Sequence, residues 1–156
     1  MTTAYAQRPH EAASVASVPV AEAMHVGVVT CRADASLSAI ARTMAAHRIH
    51  AVVVVPEKET DDWSLISDLD LAAAVSEGLI EVATAAEIAS TPNLFVTLDE
   101  TVARAAQLMR EYDTHHLIVL APGAERPVGV VSTLDIADVA AELPLGDTPR
   151  TGADVR

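Results

Sequence analysis

The apolar positions of this chain fall into a strand–helix order that is written twice. Val28-Val29-Thr30-Cys31 reads as a short strand. Asp34 or Ser36 then caps a helix running to about His47. Its Leu37, Ile40, Ala41 and Met44 follow the i, i+3, i+4, i+7 spacing of one inward stripe. His50–Val55 is a continuous apolar run of strand length, which predicts cover on both faces. The charged segment 56–62 predicts a turn, Trp63–Ser67 a strand and Asp68–Val75 a helix stopped by Glu77-Gly78. The order then returns. A turn of helix is expected at 84–89, mirroring Pro19–Met24, and a break at Pro92-Asn93. Strands follow at Leu94–Thr97, His115–Leu120 and Pro127–Ser132. Helices follow at Thr101–Tyr112, with Val102, Ala105, Ala106 and Met109 inward, and at Thr133–Leu143.

The repetition extends to individual residues. Residues 20–75 laid over 85–140, 65 positions on and without a gap, match at Glu22/Glu87, Asp34/Asp99, Met44/Met109, His50/His115, Val54/Val119, Ser67/Ser132, Leu69/Leu134 and Asp70/Asp135. The chain is therefore two copies of one unit of roughly 60 residues. Each copy is strand, helix, strand, strand, helix. The crossover helix makes the first strand pairing parallel, and the charged turn makes the second antiparallel. A three-stranded sheet with helices on one face cannot cover its own apolar side, so the copies should pack on each other. The expected boundaries are a loose tail at 1–18, units at 19–80 and 81–146, and a second loose tail at 147–156.

Charge and composition narrow the function. The chain is 51% hydrophobic and only 3% aromatic, which suits a packed core and not an aromatic platform for single strands. Its formal charge of −12 divides evenly between the two copies. Such a field opposes phosphodiester backbones and anionic lipid, so neither nucleic acid nor membrane is an expected partner. It leaves room for a small phosphorylated ligand in a pocket of local positive charge. Cys31 is the only cysteine, which rules out an internal disulfide and any cysteine-based metal cluster. No apolar run reaches the ~18 residues of a membrane span, and the N-terminus lacks a secretory pattern, so a cytoplasmic location is expected. No nucleophile–base set, phosphate loop or Gly-x-Gly-x-x-Gly appears, which argues against an enzyme.

The junction between last strand and last helix carries the sharpest pattern. It reads Gly129-Val130-Val131-Ser132-Thr133-Leu134-Asp135 in copy two and Ser64-Leu65-Ile66-Ser67-Asp68-Leu69-Asp70 in copy one. Read locally, Ser-x-x-Asp is a capping box. In its setting, the Gly-hydrophobic-x-Ser-x-x-Asp pattern resembles the signature of the CBS domain, and the tandem arrangement resembles a CBS pair, or Bateman module, over about 20–142. The resemblance implies an α/β (α+β) fold of two β-α-β-β-α units in one pseudo-twofold module. It also implies a stand-alone regulatory protein that senses an adenosine-containing ligand such as AMP, ADP, ATP, NAD or S-adenosylmethionine. It would modulate an effector protein and form a homodimer.

Carried over residue by residue, Asp135 and Asp70 would receive ribose hydroxyls. Ser132, Thr133, Ser67 and Asp68 would lie near phosphates, with Gly129 allowing close approach. His50-Ala51 and His115-His116, just before the second strands, would reach phosphate, and Thr30, Phe95 and Val96 would flank adenine. Copy two keeps the signature glycine and copy one has Ser64, so the Asp135 site is expected to be the stronger. No metal site is expected, because the histidines show no ligand spacing. The competing reading is a ligand-free interaction or dimerisation module in which Ser-x-x-Asp only caps. Leu69, Leu71 and Val75, with Leu134, Ile136 and Val139, would supply the apolar face of a homodimer in either case.

Overall fold

A computed structural model describes residues 14–59, 61–89 and 94–142. In order, its elements are α1 (Val20–Ala23), β1 (His25–Val26), β2 (Thr30–Arg32), α2 (Leu37–His47), β3 (Ala51–Val55), β4 (Ser64–Ser67), α3 (Asp68–Ser76), α4 (Ala85–Ile88), β5 (Phe95–Thr97), α5 (Val102–Glu111), β6 (His116–Leu120), β7 (Pro127–Ser132) and α6 (Thr133–Glu142). Each expected element with a describable position is present, its ends displaced by a residue or two. The break at Pro92-Asn93 and the ends of the chain, 1–13 and 143–156, lie outside the described residues. Within the stretch expected to be loose, Val15–Ser17 forms a 3₁₀ turn capped by Ser14.

The sheets follow the expected logic. β2 pairs parallel with β3, and β3 antiparallel with β4. In the second unit β5 pairs parallel with β6, and β6 antiparallel with β7. The central strands β3 and β6 are buried through three successive residues each, as their unbroken apolar runs require. Ser36 caps α2 by accepting the Ala39 amide at 3.3 Å, while Asp34 pairs with Arg32 at 2.9 Å. On α5 the buried residues are Val102, Ala105, Leu108 and Met109, so Leu108 takes the place expected of Ala106. Trp63 donates its indole N–H to the Glu125 carbonyl at 3.0 Å, tying the turn of one unit to that of the other.

The units are joined by exchange. Val20 on α1 is fully buried in the second unit's core, among Val96, Ala105, Leu117 and Val131. Ala85 on α4 is fully buried in the first unit's core, among Leu37, Ile40 and Ile66. The backbone repeats the swap at the same offset. Val20 and Ala21 donate to Glu100 and Leu98, and Ala85 and Ala86 donate to Ala35 and Ala33. Each short helix thus completes the opposite unit's core.

One element was not expected. β1 adds antiparallel to β7, with His25 opposite Val130 and Val26 opposite Gly129, and makes the second sheet four-stranded. Gly129 permits it. A Cβ there would collide with the His25 carbonyl oxygen and lie 2.9 Å from Met24 Sδ. The glycine therefore serves the close approach of β1.

Candidate functional site

The arrival of β1 on β7 places a first-unit segment against the second unit's Ser132–Asp135 junction. Between them lies a cavity of about 510 Å³, within the usual range for small-molecule sites. Residues 25–29 and 48–51 of the first unit form one wall. His116, Val130, Ser132, Leu134 and Asp135 of the second form the other. Val26, Val28, Val29, Ile49, Ala51, Val130 and Leu134 supply its apolar surface.

Asp135 is the one buried charged residue among those described, 3% exposed. Its two oxygens have separate tasks. Oδ2 accepts the Ser132 amide at 2.6 Å and the Ser132 hydroxyl at 2.8 Å, and the Ser132 oxygen accepts the Asp135 amide at 3.3 Å. That is the capping box of α6. Oδ1 lies 2.8 Å from His25 Nδ1, and both residues line the cavity. Capping and ligand contact are therefore compatible, each drawing on a different oxygen.

One guanidinium and three imidazoles gather here although the chain is acidic. His25, His50 and His116, half of the chain's six histidines, line the cavity with Arg48. Arg48 ends α2 in the left-handed region, with φ 52°, and Asp113, 65 positions on, repeats the conformation at φ 50°. His50 Nδ1 lies 2.8 Å from Asp68 Oδ2. Burial works to raise the Asp68 carboxyl, but the His50 imidazole and the Leu69 amide outweigh it and hold the group below the usual carboxylate range. Burial pushes the His116 imidazole below the ordinary histidine range. Asp68 and Asp135 oppose that shift, and His115 and His50 add to it.

The expected site residues divide. Asp135, Ser132, His50, Ala51 and His116 meet in this one cavity, with Asp68 at its edge through His50. His115 and Thr133 do not. They line a separate groove between α5 and α6, where the Thr133 amide donates to the His115 carbonyl at 3.0 Å. Thr30 pairs with Val53 on the sheet and is exposed away from the cavity lining, and Phe95 pairs with Ile118. Val96 is 1% exposed inside the second core, which leaves no face for adenine. Ser67 and Asp70 form their own capping box, at 2.7, 2.8 and 3.3 Å, at the start of α3.

His25 and Arg48 were missing from the expected set. Arg48 lies two positions before His50, so a wider window before the strand would have found it. His25 is brought in by a pairing over a hundred residues long-range, for which the sequence holds only Gly129 as a signal. Among the described residues no three His, Cys, Asp or Glu side chains are grouped to hold a metal ion, and no helix is long and apolar enough to cross a membrane.

Known proteins agree with this architecture. The CBS-domain family model matches residues 20–77 and again 85–142. The CBS-domain pair of protein MJ0100, solved with 5′-methylthioadenosine and S-adenosylmethionine, superposes with TM-score 0.70 at 22% identity, over 80% of this chain and 96% of that one. A hexameric CBS-CP12 protein from bloom-forming cyanobacteria gives TM-score 0.71 at 21% identity, over 77% and 69% of the two chains. Hypoxic Response Protein I, solved with two coordinated zinc ions, gives TM-score 0.62 at 25% identity, over 78% and 98%. No curated protein sequence gives a significant match. With both halves of the chain matched and the fold shared, this protein belongs to the CBS-domain family, as a tandem pair of CBS domains.

Proposed function

We propose that this chain is a non-catalytic cytoplasmic regulatory module whose cleft between β1, β3 and β7 takes an adenosine-containing ligand. AMP, ADP, ATP, NAD and S-adenosylmethionine are the class, and an effector protein would read the occupied state. The observation that carries this reading is Asp135. It lines a largely apolar cavity, its Oδ2 caps α6, and its Oδ1 is engaged by no more than the exposed His25 imidazole among the contacts described. A carboxylate oxygen beside an apolar slot suits a ribose hydroxyl next to a flat base. The Arg48 guanidinium suits phosphate, with the ring nitrogens of His50 and His116 as further hydrogen-bond partners, in a chain whose overall field would repel it. The ligands bound to protein MJ0100 belong to the same class.

A thermal-shift screen across AMP, ADP, ATP, NAD, S-adenosylmethionine and GTP tests the reading. A ligand at 100-fold excess over its Kd should stabilise the protein by about 2.7 kcal/mol. At least one adenosine compound should raise the melting temperature and GTP should not. No shift with any of the five would overturn it.

The module is further proposed to be a homodimer. A groove of about 450 Å³ in the first unit is lined by residues 41, 44, 45, 48–50, 68 and 71, and one of about 290 Å³ in the second by the residues 65 positions on. On the helices that contribute to these grooves, α3 and α6, Leu69, Val75 and Leu134 stand 62%, 61% and 59% exposed. Equivalent grooves related by the internal pseudo-twofold suit a second copy meeting both on one twofold axis. Sedimentation at tens of micromolar should show the dimer, and a monomer there would contradict it.

A further inference from the structure

Asp135 is not presented freely to its cavity. His25 Nδ1 stands on Oδ1 at 2.8 Å, the position a ribose hydroxyl would need. The remaining oxygen is committed to Ser132. The contact joins unequal partners, since the Asp135 side chain is 4% exposed and that of His25 83%. The imidazole therefore has room to swing into solvent while the carboxylate stays fixed by its cap. The same short strand is pinned by pairing with Val130 and by the Gly27 amide donating to the Val128 carbonyl at 2.9 Å, and the side-chain contact adds to that pinning. Position 90, which matches 25 in the repeat, is Ser90 and carries no imidazole.

We infer that His25 is a built-in competitor for Asp135, a latch that any ribose must displace before the cleft is filled. It goes beyond the proposed adenosine reading but rests on it for the identity of the displacing ligand. The latch lowers the affinity of every ligand that uses Oδ1 by one common factor. It leaves untouched a ligand that binds without that oxygen. A side-chain contact with one exposed partner is worth at most about 1 kcal/mol, so the factor is at most about 5-fold.

The test is calorimetric titration of wild type, His25→Ala and His25→Gln with adenosine and with 2′,3′-dideoxyadenosine, which lacks both hydroxyls. His25→Ala should bind adenosine about 2- to 5-fold more tightly, with dideoxyadenosine unchanged. His25→Gln keeps an N–H donor and should return towards wild type. Equal gains for both ligands would mean that the substitution only widens the mouth, and would overturn the latch. So would unchanged or weaker adenosine binding, the latter making His25 a ligand contact. Amide hydrogen exchange without ligand separates this from the parent reading. The Gly27 amide should exchange about 2- to 5-fold faster in His25→Ala, and an equal rate would contradict the latch. If adenosine binds neither protein while that exchange difference stands, the adenosine reading falls and the His25–Asp135 tie survives.

Discussion

The two Ser-x-x-Asp junctions differ by no more than 0.1 Å in each of their three hydrogen bonds, yet they stand in different surroundings. Asp70 is half-buried at the start of α3. Asp135 is nearly sealed, with β1 laid along its sheet and a histidine on its outer oxygen. The local motif dictates the cap in both copies. What the carboxylate faces beyond the cap is dictated by a strand from the other end of the chain. A capping box is therefore neither evidence for a ligand site nor against one, because the cap consumes one oxygen and the tertiary setting decides the use of the other.

The comparison breaks most sharply in the cores. Leu37→Ala and Leu117→Ala empty equivalent depths of the first and second cores, both 0% exposed. Each should cost about 2–5 kcal/mol. Because α1 and α4 are exchanged, each variant should still melt in one transition. Calorimetry showing two separate transitions would mean that the units are independent and the exchange contributes little.

Next come the residues that make the copies differ. Gly129→Ala drives a Cβ against the His25 backbone and should cost about 1–3 kcal/mol, as overpacking does. Ser64→Ala, at the matching place in the first unit, should fall within about 0.5 kcal/mol of wild type. Chemical denaturation of the two variants measures both. Equal costs would remove β1 as the reason for the glycine.

The smallest effect is the pH dependence of the second unit. His116 replaces Ala51 of the first, and burial lowers its folded pKa. The unfolded chain then takes up the proton first. Stability is fully present above the ordinary histidine range, near 6.5, and falls as pH drops below it, until the folded group also protonates. His116→Ala makes the two positions alike and should flatten that part of the stability–pH curve. An unaltered slope between pH 7 and 5 would show that His116 is not the group responsible.

Much of this was legible in the chain. The 65-residue offset, the apolar runs of β3 and β6 and the stripe of α2 announce themselves because they are local and periodic. His50, Ala51, His116, Ser132 and Asp135 were each named from the family resemblance, but the meeting of first-unit residues with the second unit's junction was not. The two short helices were expected as turns, but their exchange between the cores and the strand β1 do not follow. Four residues of helix or two of strand carry no usable period, and what fixes them is contact with the opposite unit, such as Val20 against Leu117. Val96 shows the converse. A strand residue named for a ligand lies in the core because its neighbours bury it, and position beside a motif says nothing about that.

The most direct test of the central claim is calorimetric titration of Asp135→Asn and Asp70→Asn with whichever adenosine compound shifts the wild-type protein. Hydrogen bonds to a charged group contribute about 1.5–3 kcal/mol, so Asp135→Asn should weaken binding on the order of 10- to 100-fold. Asp70→Asn should weaken it much less, while both variants lose a similar, small stability from their caps. Equal affinity of wild type and Asp135→Asn for a ligand demonstrably bound would contradict the assignment of the cleft.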